Sequence, residues 1–144
     1  MNVPISALLQ RKGSAVHGIA PTLSIFEAVA EMNRLRIGAI VILENGKLAG
    51  IFTERDVLRR VVGTGIDPRK VLVSDVMTSD VLTVGPETTV EEVAALFTEK
   101  RCRHLPVVAE GNLVGLISIG DISRWVADAH RAEAEHLRNY ISGG

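Results

Sequence analysis

Two short stretches of this chain set a hydroxyl three residues ahead of a carboxylate: Thr53-Glu54-Arg55-Asp56 and Ser118-Ile119-Gly120-Asp121. Each follows an apolar run, Gly50-Ile51-Phe52 and Gly115-Leu116-Ile117, so each falls where a strand passes into a helix. A hydroxyl and an acid at this spacing can close a capping box around the first helical turn. The same position offers a second chemistry. A helix N-terminus presents free N–H groups and positive dipole potential, which attract phosphate, and the hydroxyl adds one more donor. A carboxylate beside phosphate would repel it, but it can accept hydrogen bonds from two neighbouring hydroxyls, as a ribose diol offers. The pattern therefore reads either as a pair of structural caps or as a nucleotide site.

The two stretches are copies. Pro21 and Pro86, Glu27 and Glu92, Arg36 and Arg101, Gly46 and Gly111, Gly50 and Gly115, and Asp56 and Asp121 all lie 65 residues apart, with no gap. In each copy an apolar stripe recurs at helical spacing, Ile25, Ala28, Val29 and Met32 in the first, Val90, Val93, Ala94 and Phe97 in the second. Ser24 and Thr89 are placed to cap these helices. Two apolar runs follow, joined by Glu44-Asn45-Gly46-Lys47 and Ala109-Glu110-Gly111-Asn112, which carry hairpin chemistry. A further short strand is expected before each first helix, at 15–19 and 81–84. Each unit reads β-α-β-β-α, a mixed α+β or α/β fold. A unit of about 60 residues is marginal alone. Its nearly continuous apolar strands suit a sheet covered on both faces. The sister unit is the expected cover, packed about a pseudo-twofold axis with two related clefts between them. The boundaries expected are 1–62 for the first unit, 63–70 for the linker, 71–127 for the second unit and 128–144 for a C-terminal helical extension.

Composition narrows the function. The 144 residues are 47% hydrophobic and 23% charged, with aromatics at only 3%, so the core is built from aliphatic side chains. Sixteen basic and seventeen acidic residues leave a net charge of −1, which disfavours a nucleic-acid partner and gives no polybasic patch for a membrane surface. The single cysteine, Cys102, excludes an intramolecular disulfide. No apolar run reaches membrane-spanning length and the start lacks a signal-peptide pattern, so a cytoplasmic protein is expected. The four histidines show no metal-ligand spacing, and His104 has no partnered nucleophile, so neither a metal nor an enzyme activity is expected.

The duplicated Gly-apolar-apolar-Thr/Ser-x-x-Asp motif, together with Arg103-His104-Leu105-Pro106-Val107-Val108, resembles a tandem pair of cystathionine-β-synthase (CBS) domains, a Bateman module. The first copy reads Arg36-Ile37-Gly38-Ala39-Ile40-Val41 in place of the second segment. The resemblance runs from about Pro4 to Trp125. It implies a regulatory sensor that binds an adenosyl ligand between the repeats: AMP first, with ATP, NAD(H) or S-adenosylmethionine as other choices. Carried over by position, it assigns phosphate contacts to Thr53 and Ser118 and ribose contacts to Asp56 and Asp121. The positions lining adenine would be Ile37, Gly38, Cys102, Arg103, Gly18 and Thr83. A disc-shaped homodimer and an unknown effector protein are the implied partners. The alternative is an interaction module whose clefts take no nucleotide.

The copies differ where charge would matter. Arg55 is replaced by Gly120, and Gly38 and Ala39 by Arg103 and His104, so the two clefts are expected to bind unequally. Lys12 could reach a phosphate or stand as a solvated surface lysine. Residues 121–141 read as one long helix with a broken apolar stripe of Ile122, Trp125, Val126, Ala129, Ala132, Leu137, Tyr140 and Ile141, available either to pack on its own chain or to meet a second copy.

Overall fold

The computed structural model describes residues 3–13 and 15–142, so the outermost expected boundaries, 1 and 144, lie outside the described residues. The elements run α1 (Ile5–Lys12), β1 (Gly18–Ile19), α2 (Ile25–Leu35), β2 (Ala39–Glu44), β3 (Lys47–Thr53) and α3 (Glu54–Asp56), the last continuing as a π-helical segment Val57–Val62. After a 3-10 turn at Val73–Asp75 come α4 (Val90–Lys100), β4 (His104–Ala109), β5 (Asn112–Ser118) and α5 (Ile119–Ser142).

The duplication in the sequence is a duplication of register. Ala39 pairs with Thr53 in the first antiparallel hairpin and His104 with Ser118 in the second. Both hairpins carry an irregularity at the same place, Ile42/Leu43 and Val107/Val108. Their turns place Asn45 and Gly46, then Glu110 and Gly111, at positive φ, the hand that two-residue hairpin turns require. α2 opens on a complete capping box between Ser24 and Glu27, and Thr89 caps α4 through the Glu92 N–H. Both helices end on an arginine in the left-handed region, Arg36 and Arg101.

The first strand is shorter than expected in both copies. In the first it is Gly18–Ile19, parallel to β2. In the second it shrinks to a single parallel bridge, Val84 to Val107, at the position matching Ile19 to Ile42. Leu82 is exposed there, and Gly85-Pro86 follows at once, so the segment has neither the burial nor the donors to extend.

Each copy has its own apolar core, and each core is completed from outside its own repeat. Ile25, Ala28 and Met32 of α2 pack on Ile40, Ile42 and Phe52, joined by Val61, Val73 and Val76. Val71 and Leu72 run beside the start of α2, where Ile25 N–H donates to Val71 O at 3.0 Å. In the second copy, Val90, Val93 and Phe97 pack on Leu105, Val107 and Ile117, and Ile5, Leu8 and Leu9 of α1 close that core. Ile5 N–H donates to Thr88 O at 2.7 Å, and Val90 N–H to Val3 O at 2.8 Å. The N-terminal helix thus belongs to the second core and residues 71–77 to the first. Burying one such Ile or Leu stabilises the fold by about 1.5–3 kcal/mol. Among the described residues, no helix is long and apolar enough to cross a membrane.

Candidate functional site

Both hydroxyl–carboxylate pairs close as capping boxes. At the start of α3, Thr53 N–H donates to Asp56 Oδ2 at 3.0 Å and Asp56 N–H donates to Thr53 Oγ1 at 3.2 Å. At the start of α5, Ser118 N–H donates to Asp121 Oδ2 at 2.8 Å and Asp121 N–H to Ser118 Oγ at 3.1 Å. The next backbone N–H is held in the same way in each copy, Glu54 to Gly38 O and Ile119 to Arg103 O, both at 3.0 Å. Gly38 and Arg103, expected as lining positions, thus sit at the helix starts through their carbonyl groups.

The two carboxylates are the buried charged residues of the fold among those described, each only 6% exposed. A carboxylate so placed needs partners. Asp56 Oδ1 accepts from Thr78 Oγ1 at 3.3 Å and lies 3.6 Å from Arg60 Nε. Asp121 is held by Lys12 Nζ at 2.6 Å from Oδ2 and by Arg124 NH2 at 2.7 Å from Oδ1. Burial pushes the Asp121 carboxyl upward. Hydrogen bonds from Lys12 and from Ser118 outweigh that effect and hold it below the usual carboxylate range. Both arginines keep much of their surface in water, and Arg60 NH1 also donates to Val76 O at 3.2 Å and Met77 O at 3.1 Å.

Lys12, Thr78, Arg60 and Arg124 are neighbours of the two carboxylates that pattern reading undervalued or missed. Arg60 and Arg124 stand four and three residues after their aspartates, the helical spacing that brings a base over an acid. That signal was available. Lys12 reaches Asp121 across most of the chain, and nothing local announces it.

The remaining expected positions distribute unevenly. Arg55 crosses between copies and donates to Arg101 O at 3.2 Å. His104 begins β4 opposite Ser118; burial lowers its pKa, and the Arg103 and Lys12 charges lower it further against Asp121 and Glu54, which favours the uncharged imidazole. Ile37 and Cys102 pack against the cores of their own copies. Burial raises the Cys102 thiol above its ordinary value, against a backbone hydrogen bond and the Arg55 charge. Gly18 pairs with Val41 in the first sheet. Thr83 lines a cleft of about 310 Å³ with Lys47, Leu48, Ser79, Val81, Val108 and Gly111, between the two hairpins. Asp121 and Lys12 line a second cavity of about 310 Å³ between α1 and α5, with Arg11, Arg124, Trp125 and Asp128. Both volumes lie at the small end of ligand sites, which run from about 300 to 1,000 Å³. The structure does not bring Thr83 and Asp121 into one cavity. Among the described residues, no three of His, Cys, Asp and Glu come together as a metal site.

A family model described as "CBS domain" matches residues 14–63 and 73–128. A CBS domain-containing protein of Arabidopsis thaliana, CBSX3, named as mitochondrial, is 37% identical over 97% of this chain and 72% of its own length. The crystal structure of the CBS-domain containing protein ATU1752 from Agrobacterium tumefaciens superposes with a TM-score of 0.80 at 37% identity, covering 85% of this chain and 98% of that one. CBS domain protein PAE2072 from Pyrobaculum aerophilum, solved in complex with AMP, superposes with a TM-score of 0.73 at 28% identity, covering 83% and 89%.

Proposed function

This chain belongs to the CBS-domain family, and on that premise we propose that it is a regulatory module that binds an adenine nucleotide at its two helix starts. One observation carries the reading: two buried carboxylates, Asp56 and Asp121, stand in matching capping boxes 65 residues apart, each beside a partly exposed arginine. Capping alone does not require burial of the acid. Ribose hydroxyls would take the Oδ1 positions now given to Thr78 and Arg60 in one copy and to Arg124 in the other. Thr53 and Ser118 would meet the phosphate, with Arg55 beside the first site and Arg103, His104 and Lys12 beside the second. The AMP complex of the Pyrobaculum protein supports AMP ahead of ATP, NAD(H) and S-adenosylmethionine.

The module signals by population shift: the nucleotide favours one arrangement of the two repeats, and a second protein reads it. It performs no catalysis, it works in the cytoplasm, and it forms a homodimer. The completeness of both boxes as caps favours one alternative, an interaction module without a nucleotide. Thermal unfolding with AMP, ATP, NADH or S-adenosylmethionine in excess separates the two. A ligand at about 100 times its Kd adds about 2.7 kcal/mol, a shift of several degrees. AMP giving the largest shift supports the reading; no shift with any of the four overturns it in favour of the interaction module.

A further inference from the structure

α5 has two faces with different fates. Asp121, Ile122 and Trp125 turn inward, Ile122 into the second core and Trp125 beneath the Arg11 guanidinium at 5.1 Å. The opposite side carries Ile119, Ser123, Val126, His130, Glu133, Leu137 and Tyr140, which are spaced alternately four and three residues apart. That is the four-three spacing of a coiled-coil seam, with Ser123, His130 and Glu133 as its polar positions. All seven positions are exposed. Ile119, Val126, Leu137 and Tyr140 are 37%, 39%, 62% and 78% exposed, and every residue from 130 to 141 is open to solvent. A helix end of this length is marginal in water without a partner.

We propose that this seam pairs with the same seam of a second copy, antiparallel. The inference rests on the homodimer reading above and names its surface. Charge selects the direction. His130 and Glu133 stand at the middle of the seam, flanked by Val126 and Leu137. In a parallel, in-register pair each would face its own copy, acid against acid. In an antiparallel pair His130 faces the partner's Glu133 and Glu133 the partner's His130, while Val126 meets the partner's Leu137 on either side. The imidazole donates to the carboxylate whether neutral or charged. His130 is exposed, and the neighbouring charges of α5, Asp128, Arg131, Glu135 and Arg138, lie off the seam. Ala127 and Ala134 border it and let two helices approach closely.

Sedimentation equilibrium of the full chain tests this with four proteins. The wild type should be a dimer. Leu137→Lys should weaken the dimer roughly tenfold or more, because it sets a charge against the partner's Val126 in the apolar layer that flanks the seam's middle. Glu133→Lys should also weaken it, by setting a lysine against the partner's His130. The double variant His130→Glu with Glu133→Lys restores opposite charges across an antiparallel seam and should recover the dimer. All these positions are on the surface, so circular dichroism should show unchanged folding. A wild-type monomer at every concentration removes the homodimer reading itself. A wild-type dimer indifferent to Leu137→Lys leaves the dimer standing and overturns the seam. Weakening by Glu133→Lys without recovery in the double variant overturns the antiparallel register.

Discussion

Lys12 Nζ lies 2.6 Å from Asp121 Oδ2, joining the first helix of the chain to the start of the last across 109 positions. The same ammonium donates to Leu116 O at 2.5 Å, so one lysine ties α1 to both β5 and α5. The contact has consequences for stability and for binding.

The Asp121 carboxyl titrates below its usual range in the fold: burial acts to raise it, but the hydrogen bonds from Lys12 and Ser118 prevail. A carboxyl depressed by folding stabilises the protein above its unfolded value of about 3.9 and loses that contribution as pH falls through the folded value. Urea unfolding of the wild type should therefore weaken as the solution is acidified below about pH 5. Asp121→Asn should cost about 1–2 kcal/mol at pH 7 and show a flatter decline in acid. Parallel declines for the two proteins would remove Asp121 as the titrating group.

Gly115 gives the tightest test of where α1 sits. A Cβ built there would fall 2.6 Å from Leu9 Cδ2, inside the second core. Gly115→Ala should destabilise by about 1–3 kcal/mol through overpacking. Leu9→Ala alone should cost about 2–5 kcal/mol through the cavity it leaves. The double variant should be more stable than the sum of the two losses, a coupling that chemical denaturation resolves. Its counterpart Gly50 meets both the Met77 sulfur and the Thr78 carbonyl oxygen, so Met77→Ala should rescue Gly50→Ala poorly. Additive losses at Gly115 and Leu9 would show that the two do not share space.

The two proposed nucleotide positions should bind AMP unequally in isothermal titration, because Arg55 in the first motif has Gly120 as its counterpart and Ala39 has His104. Asp56→Ala and Asp121→Ala should each abolish one class of site. Each loses a cap worth about 0.5–2 kcal/mol, a smaller effect than the loss of binding. Two identical sites in the wild type, or normal binding in either variant, would count against the assignment.

Much of the architecture was legible because its signals are local. The stripe Ile25, Ala28, Met32 and its copy Val90, Val93, Phe97 gave two helices, and Gly46 and Gly111 gave two hairpins, all of which the structure bears out. The 65-residue offset carried the tandem architecture, because a repeated pattern must fold into a repeated shape. The capping geometry of Thr53 and Ser118 was legible for the same reason. What pattern could not reach were contacts that no sequence neighbour prepares: Lys12 on Asp121, Thr78 on Asp56, and α1 against the second core. The π-helical stretch after Asp56, where Gly63 N–H donates to Leu58 O, has no distinguishing residue pattern either. The strand expected at 81–84 is reduced to the single bridge at Val84, beside an exposed Leu82.

The crossed placement of α1 also sets an order of events during synthesis. Residues 71–77, which complete the first core, leave the ribosome directly after that repeat, so the first half can close as it emerges. Ile5, Leu8 and Leu9 are made first, yet their site needs Val93, Leu105, Ile117 and Ile122. At about 5–20 residues per second, the oldest apolar helix of the chain waits on the order of ten seconds with its inner face bare.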